Sequence, residues 1–395
     1  MLTGTVYAAL WGPMIFVLST IILVIIFLRD FKITYSTNLL ITYLVISLVF
    51  GAVLFIHFFA VPFSNDPVAY IILYLRFIII GLFFTHLKGR NINFGLLLQG
   101  TLKFIACHAI LGFILSFFVI RFLINVNSED LNSYTFLYAF FYNSSFDLFG
   151  ITFYRNQGLF WEPGILQIFM NILFFMSSFV FQNKRYQIIA AFLILTTYST
   201  TGIGILLLQF LVLLFSVNTT RIQKGIIVLF LVVVALPVFI LNYTQKVNEG
   251  SSSSSEVTSS IMRVYDFAEG VNITGRYPLT GIGMSGDTYK AVKSSSASLL
   301  SNYSSGFVDI IADRRSSNSI MYFLTRFGIP FVFAWFFLLY KQSVATEKRW
   351  LFLLIIIISN LSEPLILDPF FVLLVCSGLY SLFRFKLVGS EPYAI

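Results

Sequence analysis

The chain is a series of long, uninterrupted apolar runs separated by short polar links. A helix needs about 20 mostly apolar residues to cross a hydrocarbon core of about 30 Å. Runs of this kind lie near residues 8–28, 38–60, 68–86, 101–124, 164–181, 187–199, 203–217, 225–241, 319–340, 350–367 and 370–383. The pattern predicts an all-α, polytopic integral membrane protein with about eleven transmembrane helices. Several runs are short, which predicts tilted, bent or partly re-entrant spans. The least sharply marked boundary is Ser199-Thr200-Thr201-Gly202. The first run has no basic leader and no small-residue cleavage site, so it reads as a span rather than a signal peptide.

Composition removes the alternatives. Of 395 residues, 58% are hydrophobic and 11% charged, and the mean hydropathy is +0.89. An average soluble domain is about 45–50% apolar and about 25% charged. A soluble globular enzyme, a disordered chain and a disulfide-stapled secreted domain are therefore excluded. Cys107 and Cys376 both sit inside apolar runs and suggest neither a disulfide nor a metal site.

The formal charge of +8 could point to nucleic acid, but its distribution points to membrane orientation. Arg29, Lys32, Lys88, Arg90, Lys184, Arg185, Arg221, Lys224, Lys341, Lys348, Arg349, Arg384 and Lys386 fall in one set of links, opposed there by Asp30, Glu347 and Glu391. The alternate links Val61–Pro67, Ser199–Thr201 and Ser359–Pro369 contain no Lys or Arg. Basic links stay in the cytoplasm. This predicts the N-terminus outside and the C-terminus in the cytoplasm. Residues 1–395 then form a single transmembrane helical domain with two long outer loops, 125–163 and 242–318. The second opens with the low-complexity stretch Ser251–Ser255 and turns partly ordered beyond it. No soluble domain and no transporter-type internal repeat is visible.

The outer loops carry Arg155, Arg263, Arg276, Arg314 and Arg315 with Lys246, Lys290 and Lys293. Arginine suits bidentate recognition of phosphate, so the cluster suggests an anionic ligand at the membrane surface. The bland alternative is solvated arginines paired with Asp266, Glu269, Asp309 or Asp313, because long loops translocate regardless of charge. Three stretches carry the chemistry. In Arg155-Asn156-Gln157-Gly158-Leu159-Phe160-Trp161-Glu162-Pro163-Gly164, the proline at a first helical turn puts Glu162 at a helix amino end. Glu162 serves there as a dipole-favoured carboxylate or as a general base beside Arg155. Arg263-Val264-Tyr265-Asp266, followed by Arg276-Tyr277-Pro278-Leu279-Thr280-Gly281-Ile282-Gly283, contains a tight turn whose backbone could approach a ligand closely. Arg314-Arg315-Ser316-Ser317-Asn318-Ser319 leads into a span, with Ser and Asn as helix caps.

Arg76 and Arg326 lie inside spans, where a charge costs about 2.5–3.5 kcal/mol on insertion scales. Either could hold a lipid phosphate or a structural interior partner, and Arg326 is near enough to its outer end to snorkel. The histidines, His57, His86 and His108, all lie in or beside spans, so a histidine catalyst in an outer loop is not on offer. There is no Walker A motif, no His/Cys metal spacing and no Asp-x-Asp in the outer loops. No cofactor or metal site is expected, and a sugar donor would be lipid-linked rather than a nucleotide sugar.

With these residues in view, the chain resembles the O-antigen and capsular polysaccharide polymerases of the Wzy type, in the superfamily that also holds the O-antigen ligases. The Arg155–Gly164 stretch resembles the family's Arg…Gly-x-Phe…Pro patch. Arg263 with Pro278, Gly281 and Gly283 resembles its Arg…Pro-Leu-x-Gly-x-Gly patch. Ser317-Asn318 leading to Gly328 resembles the patch that opens its next helix. The family's Arg-x10-Gly spacing is absent at Arg155, Arg263, Arg314 and Arg315. The resemblance implies a GT-C-like, metal-independent glycosyltransferase of the bacterial inner membrane that acts on its periplasmic face. The donor would be a growing glycan on undecaprenyl pyrophosphate and the acceptor a lipid-linked repeat unit. Arg155 and Arg263 would bind the pyrophosphate, with Arg276 and Arg315 in support and Glu162 as base. Tyr265, Trp161 and Asn318 would line the sugar site. The bilayer and the lipid-linked oligosaccharide are the implied partners, and a chain-length regulator protein is left open. An O-antigen ligase, expected to carry His before the Asn where this chain has Ser317, and a non-enzymatic transporter or flippase are the competing readings.

Overall fold

A computed structural model describes residues 5–6, 14, 17–18, 20–26, 28–29, 37–63, 65–119, 122–128, 131–148, 151–215, 221–230, 237, 240, 259–295 and 318–382. Most of these residues are helical. The elements run α1 (Thr37–Ala60), α2 (Pro67–Gly89), α3 (Phe94–Val119), strands β1 (Ile124–Ser128), β2 (Leu131–Phe136), β3 (Phe140–Leu148) and β4 (Ile151–Gly158). They continue with α4 (Pro163–Phe175), α5 (Lys184–Thr196), α6 (Thr200–Leu214), α7 (Arg221–Phe230), α8 (Ser259–Arg276), α9 (Gly286–Ser295), α10 (Ser319–Lys341), α11 (Arg349–Ser362) and α12 (Pro369–Leu382). A widened π turn, Met176–Val180, prolongs α4.

Among the described residues, five helices are long and apolar enough to cross a membrane: α1, α2, α3, α4 with its π turn, and α10. Three shorter apolar helices, α6, α11 and α12, accompany them. The expected spans at 8–28 and 225–241 are only about half described. Polar caps set several helix starts. Asp66 accepts from the amides of Val68 (2.9 Å) and Ala69 (3.4 Å) before Pro67 opens α2. Asn183, Ser199 and Asn318 cap α5, α6 and α10 through the amides of Tyr186, Gly202 and Met321. Each cap satisfies an amide that would otherwise be orphaned.

Every residue of α4 is buried, as a helix apolar on all sides requires. It forms the axis of the bundle. The outward faces of α1, α2 and α3 expose Leu48, Phe55, Phe59, Ile71, Phe104 and Phe118, the surface a lipid-facing helix presents. Inside, α4 and α6 share a polar thread. Asn171 Nδ2 donates to the Gln167 carbonyl (2.9 Å) and to the Gly202 carbonyl (3.2 Å), while Gln209 Nε2 donates to Asn171 Oδ1 (2.9 Å).

The first long segment, expected as a loop, is an antiparallel four-stranded meander in the order β1-β2-β3-β4. Its register pairs Ile124 with Thr135, Tyr134 with Tyr142 and Phe141 with Gly158. Within the second segment, α8 and α9 give the partial order expected beyond the serine stretch. The bundle has two distinct ends. Gly95 lies against the Val344 carbonyl and the Phe181 ring, which gathers the links rich in Lys88, Arg90, Lys184, Arg185, Lys348 and Arg349 at one end. The sheet, the α5–α6 turn, the 277–285 loop and the α11–α12 link gather at the other.

Candidate functional site

The amino end of α4 is the meeting point of the non-basic end. Glu162 is its N-cap residue, extended (φ −141°, ψ 145°), exposed, and without a side-chain capping bond. Trp161 packs behind it on the hydrophobic core. Arg155 leaves β4 towards the carboxyl end of α5, where Nε donates to the Thr197 carbonyl (3.2 Å) and Nη2 reaches the Tyr198 carbonyl (3.5 Å). A guanidinium at a helix carboxyl end complements the macrodipole. Its neighbour Asn156 is buried and donates to the Ala109 carbonyl and Thr196 Oγ1. The patch Arg155-Asn156 thus ties the sheet to α3 and α5.

A residue that sequence reasoning missed completes this end. Glu363, in the α11–α12 link, is only 4% exposed. Its carboxylate reaches the first turn of α4, where a Cβ on Gly164 would overlap its Oε1. Ser319, the first residue of α10, has its hydroxyl 2.8 Å from both the Glu363 and Asn360 carbonyls. Glu363 therefore joins the amino ends of α4 and α10 to the carboxyl end of α11. The carboxylate at the α4 amino end is placed where the helix dipole favours negative charge. Asn318 is 4% exposed and acts as the α10 cap.

A second cluster surrounds Arg326. It is 3% exposed, and its Nη1 donates to the carbonyls of Gly283 (3.0 Å) and Ser285 (2.6 Å). The rings of Tyr289 and Tyr322 lie 4.6 and 4.8 Å from its guanidinium carbon. Rather than snorkelling, the guanidinium holds the 283–285 backbone through these carbonyls and lies within cation–π reach of both rings. Tyr265, Asp266 and Glu269 of α8 are buried nearby. Burial, with Glu269 and Asp266 adding, pushes the Tyr265 hydroxyl up to about 12. The same causes raise Tyr289, with Arg326 opposing. Both hydroxyls stay protonated at neutral pH. Arg276 is exposed in the last turn of α8. Arg263 belongs to α8, but its side chain lies outside the described residues, as does Arg315 altogether.

The glycine patch does something the sequence did not suggest. Gly281 (φ 61°), Gly283 (φ 77°) and Gly328 (φ 76°) occupy the left-handed half of φ space, open chiefly to glycine. At Gly328 the helix α10 breaks (ψ 173°). The freed carbonyls of Thr325 and Arg326 accept from the amides of Ile282 (2.8 Å) and Gly283 (3.1 Å), and the Ile329 amide donates to the Pro278 carbonyl (2.8 Å). The close approach is thus between backbone and backbone. His57 holds the other side of the loop. A carbonyl can only accept, so its Nε2–H donates to Thr280 O (2.8 Å), and in the neutral ring Nδ1 accepts from the Tyr70 hydroxyl (2.8 Å).

Arg76 has an interior partner. Its Nη1 donates to the Leu367 carbonyl (3.2 Å), beside Asp368. Removal from water holds the Asp368 carboxyl up at about 7 against an ordinary 3.8, with Arg76 pulling down. The folded state therefore binds this proton more tightly than the unfolded chain. Its contribution is complete below about pH 4 and is lost as the pH rises through about 7. Thermal unfolding in detergent between pH 4 and 8 is expected to fall less steeply with pH for Asp368→Asn than for the unaltered protein. Equal slopes would assign the pH dependence elsewhere.

Among the described residues, no three His, Cys, Asp or Glu side chains group as a metal set. No family model, no curated protein and no solved structure matches this chain.

Proposed function

We propose that this chain is a polysaccharide polymerase of the bacterial plasma membrane. It transfers a growing glycan from a polyprenyl pyrophosphate carrier to a lipid-linked repeat unit. What carries the reading is the placement of the uncapped Glu162 and the buried Glu363 at the amino end of α4, with Arg155 held on the α5–α6 turn at the same end of the bundle, away from the basic links. The resemblance of the three Arg, Glu and Gly patches to Wzy-type polymerases supplies the substrate class.

In this scheme an acceptor hydroxyl attacks the donor's anomeric carbon. The new C–O bond forms as the bond from that carbon to the pyrophosphate oxygen breaks. The hydroxyl proton passes to Glu162, and the carrier pyrophosphate leaves. Arg155, with Arg263 of α8, stabilises the negative charge that gathers on the leaving group. Arg276 and Arg315 add positive potential, Trp161 offers aromatic surface to the sugars, and the buried Tyr265 supports α8 from within rather than touching them. Arg76, Arg326 and Asn318 support the site from behind through the backbone bonds described above.

Glu363 positions the α4 amino end in this reading. Gly164→Ala displaces the far end of a flexible side chain rather than backbone. It is expected to insert at normal levels yet lose about tenfold or more in polymer output, as small displacements of catalytic groups do, and Glu363→Gln is expected to fall with it. Normal polymer from both variants would remove Glu363 from the scheme. The class itself is tested in cells. Deleting the gene is expected to leave single repeats attached to the surface glycolipid. Unattached polymer would indicate a ligase, and repeats retained inside the cell a transporter.

A further inference from the structure

The turn between β2 and β3 is built from residues that a water-exposed hairpin avoids. Hairpin-turn positions of positive φ are filled in water chiefly by Gly, Asn or Asp. Here those positions are Leu137 (φ 54°) and Tyr138 (φ 52°), and their side chains are 71% and 57% exposed. The run Tyr134-Thr135-Phe136-Leu137-Tyr138-Ala139-Phe140-Phe141-Tyr142 around them contains no charge, no glycine and no proline.

Contacts with α3 fix how deep this tip lies. His108 Nε2 donates to the Ala139 carbonyl (3.0 Å), and its ring stacks on Phe140 with centroids 4.8 Å apart. The Phe140 ring fills the space beside Gly112, and the Tyr142 hydroxyl donates to the Gly112 carbonyl (2.8 Å). His108 is eleven residues before the end of α3 at Val119. At 1.5 Å per residue the tip therefore sits about 16 Å down a membrane-spanning helix. His108 is also in helical register with Phe104 and Leu111, both exposed on the apolar face of α3. The tip thus continues a lipid-facing stripe.

Around Ala139 and Phe140 the backbone meets the condition that hydrocarbon imposes, with polar groups satisfied internally. The Ala139 amide donates to the Phe136 carbonyl (3.2 Å), His108 covers the Ala139 carbonyl, and Thr135 Oγ1 donates to the Phe140 carbonyl (3.1 Å). We infer that the β2–β3 turn is a membrane-inserted wedge whose Leu137 and Tyr138 side chains lie among lipid acyl chains beside α3, with His108 as its anchor. The occupant is bilayer lipid. The inference needs only the membrane-spanning helices and is independent of the proposed reaction.

The test uses single cysteines in a Cys107→Ser background of the full chain in liposomes, Cys376 being buried. Leu137→Cys and Tyr138→Cys are compared with Phe118→Cys on the lipid face and with exposed Asp287→Cys in α9. A bimane label at 137 and at 138 should be quenched by acyl-chain spin-labelled lipid as strongly as at 118. Both should react with a membrane-impermeant maleimide at least tenfold more slowly than 287. Reaction at the rate of 287 without quenching would overturn the inference, as would cross-linking of 137 between two copies of the chain. If Leu137→Cys fails to accumulate, Tyr138→Cys decides alone. His108→Ala should raise the maleimide rate at 138 by releasing the turn, and an unchanged rate would remove His108 as anchor.

Discussion

Gly328→Ala is expected to abolish the docking of the 277–285 loop and to destabilise the whole non-basic end of the bundle. Its backbone, φ 76° and ψ 173°, lies in a region populated almost only by glycine, and forcing a side chain there costs about 1–3 kcal/mol. A Cβ at this position would also strike the Leu279 backbone and the Thr280 amide. If the loop retreats, the bonds from Ile282 and Gly283 to the Thr325 and Arg326 carbonyls are lost, as is that from Ile329 to Pro278. Each orphaned buried group adds about 1–3 kcal/mol. The carbonyl partners of Arg326 would move away with the loop, leaving its charge buried. A total above about 3 kcal/mol follows, enough to lower the melting temperature clearly and to expose the loop to protease. Gly275→Ala is the control, because a Cβ there meets nothing within 4 Å, and alanine suits a helix better than glycine. A Gly328→Ala protein with unchanged melting and protease resistance would mean that the break in α10 does not hold the loop.

The second large effect is expected at Arg155. If Arg155 stabilises the leaving pyrophosphate, Arg155→Ala should lower turnover by about a hundredfold or more, the range for removing one charge-stabilising donor. Arg155→Lys should recover only part of this. A lysine keeps the charge but cannot reproduce the fork that reaches both the Thr197 and Tyr198 carbonyls. The competing role, a plain helix carboxyl-end partner, predicts a different result: a loss of about 1 kcal/mol in stability with turnover per folded molecule unchanged. Rates normalised to folded, inserted protein separate the two.

The helices were legible because membrane spans announce themselves by length. The runs 38–60, 68–86 and 319–340 coincide closely with Thr37–Ala60, Pro67–Gly89 and Ser319–Lys341. The caps Asp66, Ser199 and Asn318 lie within polar links that could be read directly. The sheet over 124–158 was hidden because its strands mix aromatic, Asn and Ser residues without a clean alternation. A strand with polar residues on both faces looks like a loop until its partners are known. Arg155 and Glu162 could be singled out because charged residues are rare in so apolar a chain. Glu363 and Asp368 could not. Both sit in a link that drew notice only for lacking Lys and Arg, and their importance depends on Gly164 and Arg76, each far away in sequence. The glycines of the 277–283 patch were read as a turn whose backbone approaches a ligand; the surface they approach in the structure is α10, broken at Gly328, which no local pattern reveals.

The central claim is that the end of the bundle built around Arg155 and Glu162 joins sugars at the expense of a prenyl pyrophosphate. The most direct measurement is product formation by the purified chain in liposomes supplied only with lipid-linked repeat units. The account predicts a ladder of lengthening lipid-linked glycans, one prenyl pyrophosphate released per bond formed, and loss of both signals in Arg155→Ala and Glu162→Gln proteins of normal fold. Repeat units that cross the bilayer without lengthening, or a full ladder from both variants, would contradict it.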